Sequence, residues 1–134
     1  YRLYDYDRLG KDGKPRELHL APAKDVITVP FTMPSVHQSS EQVGASTVTT
    51  LVAPPDSPYF TVQKLTVKDE LAQSMGNRPY VLCSALDGEG ELEVAGKTYP
   101  LKKGQHFIIP HPVADWTFRG DLMLITSFPT PGKY

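Results

Sequence analysis

Three polar side chains near the C-terminal end of the chain have the chemistry of metal ligands. His106 and His111 flank a short apolar run, and Asp115 follows four residues later. Imidazole and carboxylate together suit zinc, iron or manganese. The competing interpretation is that His106 is a half-buried strand residue and His111 a loop residue, with no metal role. The remaining histidines, His19 and His37, have no partner at ligand spacing.

Other residues whose side chains could bind a ligand or react also have purely structural interpretations. Trp116 and Phe118 alternate along one expected strand, so they form either a platform on which a sugar stacks or part of the core. Cys83 lies in an apolar run, which raises a thiol pKa and disfavours a nucleophilic thiolate. Alternating carboxylates could suggest calcium, but their spacing places three of them on one solvated strand face. These carboxylates belong to Asp87, Glu89, Glu91 and Glu93.

Short strands separated by glycine turns must position these side chains. Between Gly88 and Pro110, alternating apolar and polar residues predict a small antiparallel barrel. Strands are expected at 46–52, 59–67, 80–86, 91–94, 97–101, 106–109, 114–118 and 122–128. Turns are expected at 87–88, 95–96, 103–104 and 119–120. A change in the parity of apolar positions within 59–67 predicts a bulge near Gln63 and Lys64.

The first 45 residues follow a different pattern. A two-stranded hairpin is expected within residues 1–20, because the Asp-Gly pair at its centre tolerates positive φ. A helix of one or two turns is expected at 22–27, with Pro22 in its first turn. The Pro- and Ser-rich stretch 30–45 predicts a connecting loop. The expected fold class is all-β, a jelly roll or antiparallel β-barrel with at most one short helix, and the barrel occupies 46–134.

Composition excludes several classes of partner. The chain has 134 residues, enough for one domain with a hydrophobic core. Its 14 basic and 15 acidic residues nearly cancel and form no basic cluster, so nucleic acid and anionic membranes are not expected partners. No run approaches the roughly 20 apolar residues that span a bilayer. The single cysteine favours a reducing compartment, and we expect a cytoplasmic protein.

The segment from Leu86 to Pro110 resembles the cupin superfamily. In that superfamily, one motif supplies two His and a Glu upstream of the Gly-rich turn, and a second supplies a His after it. On this chain the first motif falls on residues 76–84, which contain neither His nor Glu, and the second histidine falls near Asp115. The resemblance therefore implies a degenerate cupin barrel that binds no metal.

A more specific resemblance covers nearly the whole chain. The strings YRLYDYDR at 1–8, RELHL at 16–20 and DSPYFTV at 56–62 resemble type I mannose-6-phosphate isomerase of the short form found in Gram-positive bacteria. The resemblance implies that an N-terminal catalytic cupin domain carries the zinc ligands upstream of this chain. Residues 1–29 would then end the catalytic region, and the family's catalytic arginine falls on Arg2.

This resemblance implies interconversion of mannose 6-phosphate and fructose 6-phosphate, with zinc as a Lewis acid in the full-length enzyme. Arg2 would stay cationic and stabilise negative charge or hold the substrate. The competing interpretation of Arg2 is a surface arginine paired with Asp5 or Asp7. The chain alone is expected to be inactive, metal-free and structural. The alternative is a metal-free cupin module that binds a small sugar or sugar phosphate, with Trp116 and Tyr99 as stacking surfaces.

Overall fold

The computed structural model describes residues 1–130 and Gly132. The chain divides into two compact units, Tyr1–Pro34 and Ser35–Tyr134. Among the described residues, no helix has both the length and the apolar composition needed to cross a membrane.

The first unit contains one short helix, α1, at Leu20–Val26. Pro22 lies in its first turn, where the missing N–H is not needed for the helical ladder. Ala23 is the buried residue of this helix, and Ile27 has extended backbone angles that end it. The expected helix is therefore confirmed, although it begins two residues earlier than the sequence indicated.

The expected N-terminal hairpin forms a turn but no strands. The backbone N–H of Gly10 donates to the carbonyl of Lys14 over 2.8 Å, and one isolated antiparallel bridge joins Leu9 to Pro15. Pro15 has no N–H, so the ladder cannot continue through it. Leu9 is exposed, and a pair of strands without a buried face is only marginally stable. The prediction of two strands within residues 1–20 is therefore wrong.

The second unit is an antiparallel sheet. In residues 35–130 it has seven strands in the order β1-β2-β3-β7-β4-β5, and β6 pairs with β4. The strands are β1 Ser39–Val43, β2 Ser46–Val52, β3 Phe60–Ser74, β4 Tyr80–Val94, β5 Lys97–Lys102, β6 His106–Pro110 and β7 Asp115–Pro129. The expected all-β class with one short helix is confirmed.

A continuous apolar core lies inside the second unit. Leu65 and Val67 of β3 pack there with Phe118, Leu122 and Leu124 of β7, and all five side chains are almost fully buried. These residues alternate with more exposed ones along each strand, because successive side chains of a strand point to opposite faces. The long β3–β7 pair therefore supplies much of the barrel wall.

The expected loop at 30–45 contains strand β1. All five residues of β1 are exposed, and the strand pairs with β2 through positions such as Ser40–Thr49. A polar strand at the edge of a sheet needs no apolar alternation, because neither of its faces joins the core. The loop prediction is therefore wrong for Ser39–Val43.

The expected bulge lies on the neighbouring strand. One extra residue, Leu51, sits in β2 between the pairs Thr50–Gln63 and Val52–Val62. Strand β3 itself pairs continuously with β7. The position of the irregularity was thus indicated by the sequence, but the strand that carries the extra residue was not.

Two expected turns are interior parts of long strands. Positions 87–88 lie within β4 and positions 119–120 within β7, whereas the turns at 95–96 and 103–104 form as expected. A Cβ at Gly88 would collide with the carbonyl oxygen of Asp121 on the facing strand. Gly88 therefore allows the backbones of β4 and β7 to approach closely. A shift in register between Ala85 and Asp87 bends β4 just before this point.

Candidate functional site

Hydrogen bonds connect Arg2 to Glu17 and His19, with Arg2 as the donor in two of them and the acceptor in one. The backbone N–H of Arg2 donates to His19 Nδ1 over 3.1 Å, and the backbone N–H of His19 donates to the carbonyl of Arg2 over 2.7 Å. Nη1 of Arg2 donates to the carbonyl of Glu17 over 2.9 Å, and Nε lies 3.5 Å from Oδ1 of Asp5. The side chain is 31% exposed, so part of the guanidinium remains accessible.

Asp5 links Arg2 to a second arginine. Arg16 donates two hydrogen bonds to the Asp5 carboxylate, one of them from Nε to Oδ2 over 2.6 Å. These bonds lower the pKa of Asp5, with a smaller contribution from the charge of Arg2. The pairing with Asp5 that the structural interpretation of Arg2 expected is present, and a catalytic role for Arg2 stays a prediction.

The place where cupin metal ligands would lie is apolar in this chain. Within residues 76–84, Val81 and Cys83 are buried and belong to the core. Near the expected second-motif position, Trp116 is buried while Asp115 is exposed. Across residues 1–130 and 132, no group of three or more His, Cys, Asp or Glu is placed to hold a metal ion.

His106 and His111 each have a local partner. Nδ1 of His106 lies 2.9 Å from Oγ of Ser84, and Nδ1 of His111 lies 2.8 Å from the carbonyl oxygen of Arg78. Both histidines are exposed. In the part of the chain that the structure describes, they do not gather with Asp115 into a ligand group.

His37 and two of the alternating carboxylates, Asp87 and Glu93, also have structural partners. His37 donates its backbone N–H to Oδ2 of Asp56 over 2.6 Å, and its Nδ1 lies 2.7 Å from Oδ1. These bonds lower the pKa of Asp56. Glu93 accepts a hydrogen bond from Nε of Arg119 over 3.1 Å, and Asp87 pairs with Lys103 at 3.3 Å. Ion pairs of this kind are typical of a solvated strand face.

Cys83 is a core residue with a suppressed acidity. Burial raises the pKa of its thiol from 9.0 to about 12, and the nearby charge of Arg78 only partly opposes this. A thiol in this state is neither a nucleophile nor a metal ligand near neutral pH. The sequence-based expectation that Cys83 packs as a small hydrophobic residue agrees with this environment.

The aromatic residues divide between core and surface. Trp116 is 4% exposed and Phe118 is 0% exposed, so both are core aromatics and Trp116 offers no free face for a sugar. Its assignment as a stacking surface is wrong. Tyr99 is 49% exposed and lines an apolar cavity of about 650 Å³. Other residues of that cavity include Leu92, Leu101, Phe107 and Val113.

A second opening, the Arg78 groove, has polar walls. Its volume is about 540 Å³, and Gln73, Ser74, Arg78, Asp115 and Trp116 line it. Antiparallel pairing of β3 with β7 sets Gln73 opposite Trp116 and Ser74 opposite Asp115. No local sequence pattern singles out Arg78, because the turn that carries it precedes β4 in the chain and meets the ends of β3 and β7 only in the fold.

Arg78 packs its guanidinium over two aromatic rings. The guanidinium carbon lies 4.7 Å from the ring centre of Phe128 and 5.7 Å from that of Trp116. Nε donates to the carbonyl of Met75 over 2.9 Å. Burial lowers the pKa of Arg78, yet a guanidinium stays protonated in proteins. The groove therefore contains a fixed, half-buried positive charge.

The second unit has the cupin fold. An RmlC-like cupin from Shewanella frigidimarina, for example, matches it with a TM-score of 0.54 and 19% identity, covering 72% of this chain and 86% of that one. Similarity at this level of identity shows the fold alone.

Closer comparisons define the family. Residues 48–129 match the family model described as mannose-6-phosphate isomerase, cupin domain. Mannose-6-phosphate isomerase of Streptococcus mutans is 36% identical over 127 residues, covering 95% of this chain and 39% of the relative. The crystal structure of mannose 6-phosphate isomerase from Bacillus subtilis matches with a TM-score of 0.77 and 39% identity, again covering 95% of this chain and 39% of that chain.

The chain belongs to the mannose-6-phosphate isomerase cupin-domain family, and the resemblance inferred from its sequence is confirmed. It spans about 39% of the length of these relatives.

Proposed function

We propose that this chain is the C-terminal cupin portion of a cytoplasmic mannose-6-phosphate isomerase, which interconverts mannose 6-phosphate and fructose 6-phosphate in carbohydrate metabolism. The chain by itself is inactive and binds no metal. One observation carries the proposal: the chain matches proteins of that name over 95% of its own length but only 39% of theirs. The partner of the barrel is then the N-terminal catalytic domain of the same protein.

The described residues of this chain do not fit a zinc site. The barrel interior is lined by apolar side chains such as Val81 and Leu124, which cannot coordinate a cation. A zinc ion of the whole enzyme therefore needs ligands from the preceding domain, and no step through zinc is assigned to residues of this chain.

Arg2 is the residue of this chain that we assign to the reaction. Isomerisation moves a proton next to a carbonyl and builds negative charge on the sugar oxygens. A guanidinium does not act as a base, so Arg2 stabilises that charge or holds the substrate. Its bonds to Glu17 and Asp5 orient the group before substrate arrives, which favours electrostatic stabilisation.

Activity assays test this proposal directly. The purified 134-residue chain is compared with a longer protein in which the N-terminal catalytic domain precedes it. We expect turnover of mannose 6-phosphate and about one zinc per chain in the longer protein, and neither in the 134-residue chain. Turnover by the 134-residue chain alone, or a longer protein without isomerase activity, contradicts the proposal.

A second candidate function is a metal-free module that binds a small sugar or sugar phosphate. The observation that favours it is the pair of open cavities on the barrel, one beside the exposed ring of Tyr99 and one beside Arg78. Calorimetric titration of the chain with mannose 6-phosphate distinguishes the candidates. Saturable heat supports a binding module, and no heat supports a purely structural barrel.

A further inference from the structure

We propose that the Arg78 groove binds a small organic anion that carries hydroxyl groups, such as a sugar phosphate or a sugar acid. Arg78 binds the anionic group, and Asp115 and Gln73 bind the hydroxyls. The inference rests on the second candidate function above and gives it a location and a ligand class. That location is the polar end of the β3–β7 pair, and not the apolar interior of the barrel.

Arg78 has no counter-charge among the described residues. Arg16 and Arg119 both contact carboxylates, and those contacts raise their pKa values. Arg78 makes no salt bridge to any residue that the structure describes, although its burial is enough to lower its pKa. A half-buried cation without a partner is costly, and an anionic ligand offsets that cost.

The guanidinium of Arg78 is held in a defined orientation. Nε is engaged by the carbonyl of Met75, and the rings of Phe128 and Trp116 support the planar group. His111 binds the main-chain carbonyl of Arg78, which ties the turn to the loop before β7. Within residues 1–130 and 132 the two Nη groups make no hydrogen bond, so they are available to bind a carboxylate or phosphate in the two-pronged manner that arginine favours.

The other walls of the groove supply hydrogen-bond acceptors. Asp115 is exposed and Gln73 uses its Nε2 on the carbonyl of Ala72 over 3.0 Å, which leaves a carboxylate and an amide oxygen as acceptors. Acceptors suit the O–H donors of a polyol. The volume of about 540 Å³ lies within the range of small-molecule sites.

Trp116 adds an independent observation at the same place. Its indole N–H is buried and has no acceptor among the residues described. Buried donors normally have a partner, and an unmet one costs about 1–3 kcal/mol. Trp116 is also one of the residues that line the groove, so an oxygen of a ligand bound there is a candidate acceptor for this N–H. A bound anion would then satisfy this donor as well as Arg78.

The tryptophan also supplies the assay. Trp116 is the single tryptophan of the sequence, so its fluorescence reports on this groove alone. The 134-residue chain is titrated with mannose 6-phosphate, gluconate, inorganic phosphate and mannose. We expect saturable changes with both organic anions, and at least tenfold weaker binding of mannose and of inorganic phosphate. The tighter of the two organic anions identifies phosphate or carboxylate as the preferred group.

Charge variants locate the binding. Arg78→Gln should weaken binding of the organic anion by about 10- to 100-fold, which is the loss typical of removing a hydrogen-bonded charge. Lys97→Gln removes the same charge from the exposed start of β5 and should leave the affinity unchanged. Arg78→Lys keeps the charge and should bind with intermediate affinity. Circular dichroism melting curves establish that each variant is folded.

Two results overturn the inference: equal affinity in Arg78→Gln and wild type, or no change in Trp116 fluorescence with any anion at about 10 mM. Neither result depends on isomerase activity, which is measured on the longer protein. Failure of the anion site and failure of the proposed isomerase function are therefore distinguishable.

Discussion

Gly90 lies directly opposite Gly120 where β4 and β7 pair, and neither position has room for a side chain. A Cβ on Gly90 would collide with the carbonyl oxygen of Arg119, and a Cβ on Gly120 would lie 2.8 Å from the Cα of Gly90. Gly120 also has a φ of +106°, which other residues rarely adopt. The two glycines allow the backbones of β4 and β7 to lie in close contact where these long strands pair.

Gly120→Ala should lower the free energy of unfolding by about 2–4 kcal/mol, because backbone strain and a steric clash act together. Urea denaturation measures the loss. Gly96→Ala is the matched control, because Gly96 has a φ of +73° but open space around its Cβ position. We expect a loss of about 1 kcal/mol there, from strain alone. Equal losses in both variants would show that the close approach of the strands is not important.

Ser46→Ala should cost about 1–3 kcal/mol. Ser46 is fully buried, and its Oγ lies 2.8 Å from the carbonyl of Glu70 and accepts the N–H of Lys68 over 2.9 Å. These bonds involve the residues on either side of Asp69, which has a φ of +70° within β3. Thermal and urea unfolding measure the effect. The exposed Ser40→Ala should change stability by less than about 0.5 kcal/mol, and a similar cost at both positions would contradict the prediction.

The buried thiol of Cys83 should make the fold sensitive to alkaline pH. The pKa is about 12 in the folded chain against 9.0 when exposed, so the unfolded chain loses this proton first as pH rises. The contribution is fully present below pH 9 and falls by roughly 1 kcal/mol per pH unit above it.

Urea denaturation of wild type and Cys83→Ala from pH 7 to 11 tests this dependence. Cys83→Ala should be less stable than wild type near neutral pH, and the gap should narrow at alkaline pH. A constant gap across that range would mean that the thiol is not held in its neutral form.

Arg2→Ala in the longer protein should lower kcat by about 100- to 1,000-fold, the usual loss when one oriented electrostatic donor is removed. Arg8→Ala is the control, because Arg8 is an exposed arginine of the same segment. It should keep nearly full turnover. An undiminished kcat in Arg2→Ala would mean that Arg2 has no catalytic role and acts only through its structural pairing with Asp5.

Glycines show where sequence reasoning succeeded and where it failed. At 95–96 and 103–104 a glycine marked a true turn between strands, but at 88 and 120 the same residue type marked close contact between strands. Positive φ occurs in both situations, so local sequence does not separate them. The facing backbone decides, and it comes from a residue about 30 positions away.

The candidate sites divide in a similar way. Arg2 could be singled out because a specific local string resembles a known family, and its contacts with Glu17 and Asp5 are close in sequence. Arg78 carried no such signal. Its groove forms from a turn, from the end of β3 and from the start of β7. That Arg78 has no counter-ion within residues 1–130 and 132 is a property of this assembly.

The order of residues by itself determined the all-β class, the short helix, two hairpin turns and the family, because alternation, proline and glycine placement and local strings are properties of neighbouring residues. Tertiary structure alone decided that Trp116 is buried, that Gly90 meets Gly120, and that Arg78 lines a groove without a carboxylate partner among the described residues. Burial, close approach and charge pairing arise between residues far apart in the chain, and only folding brings them together.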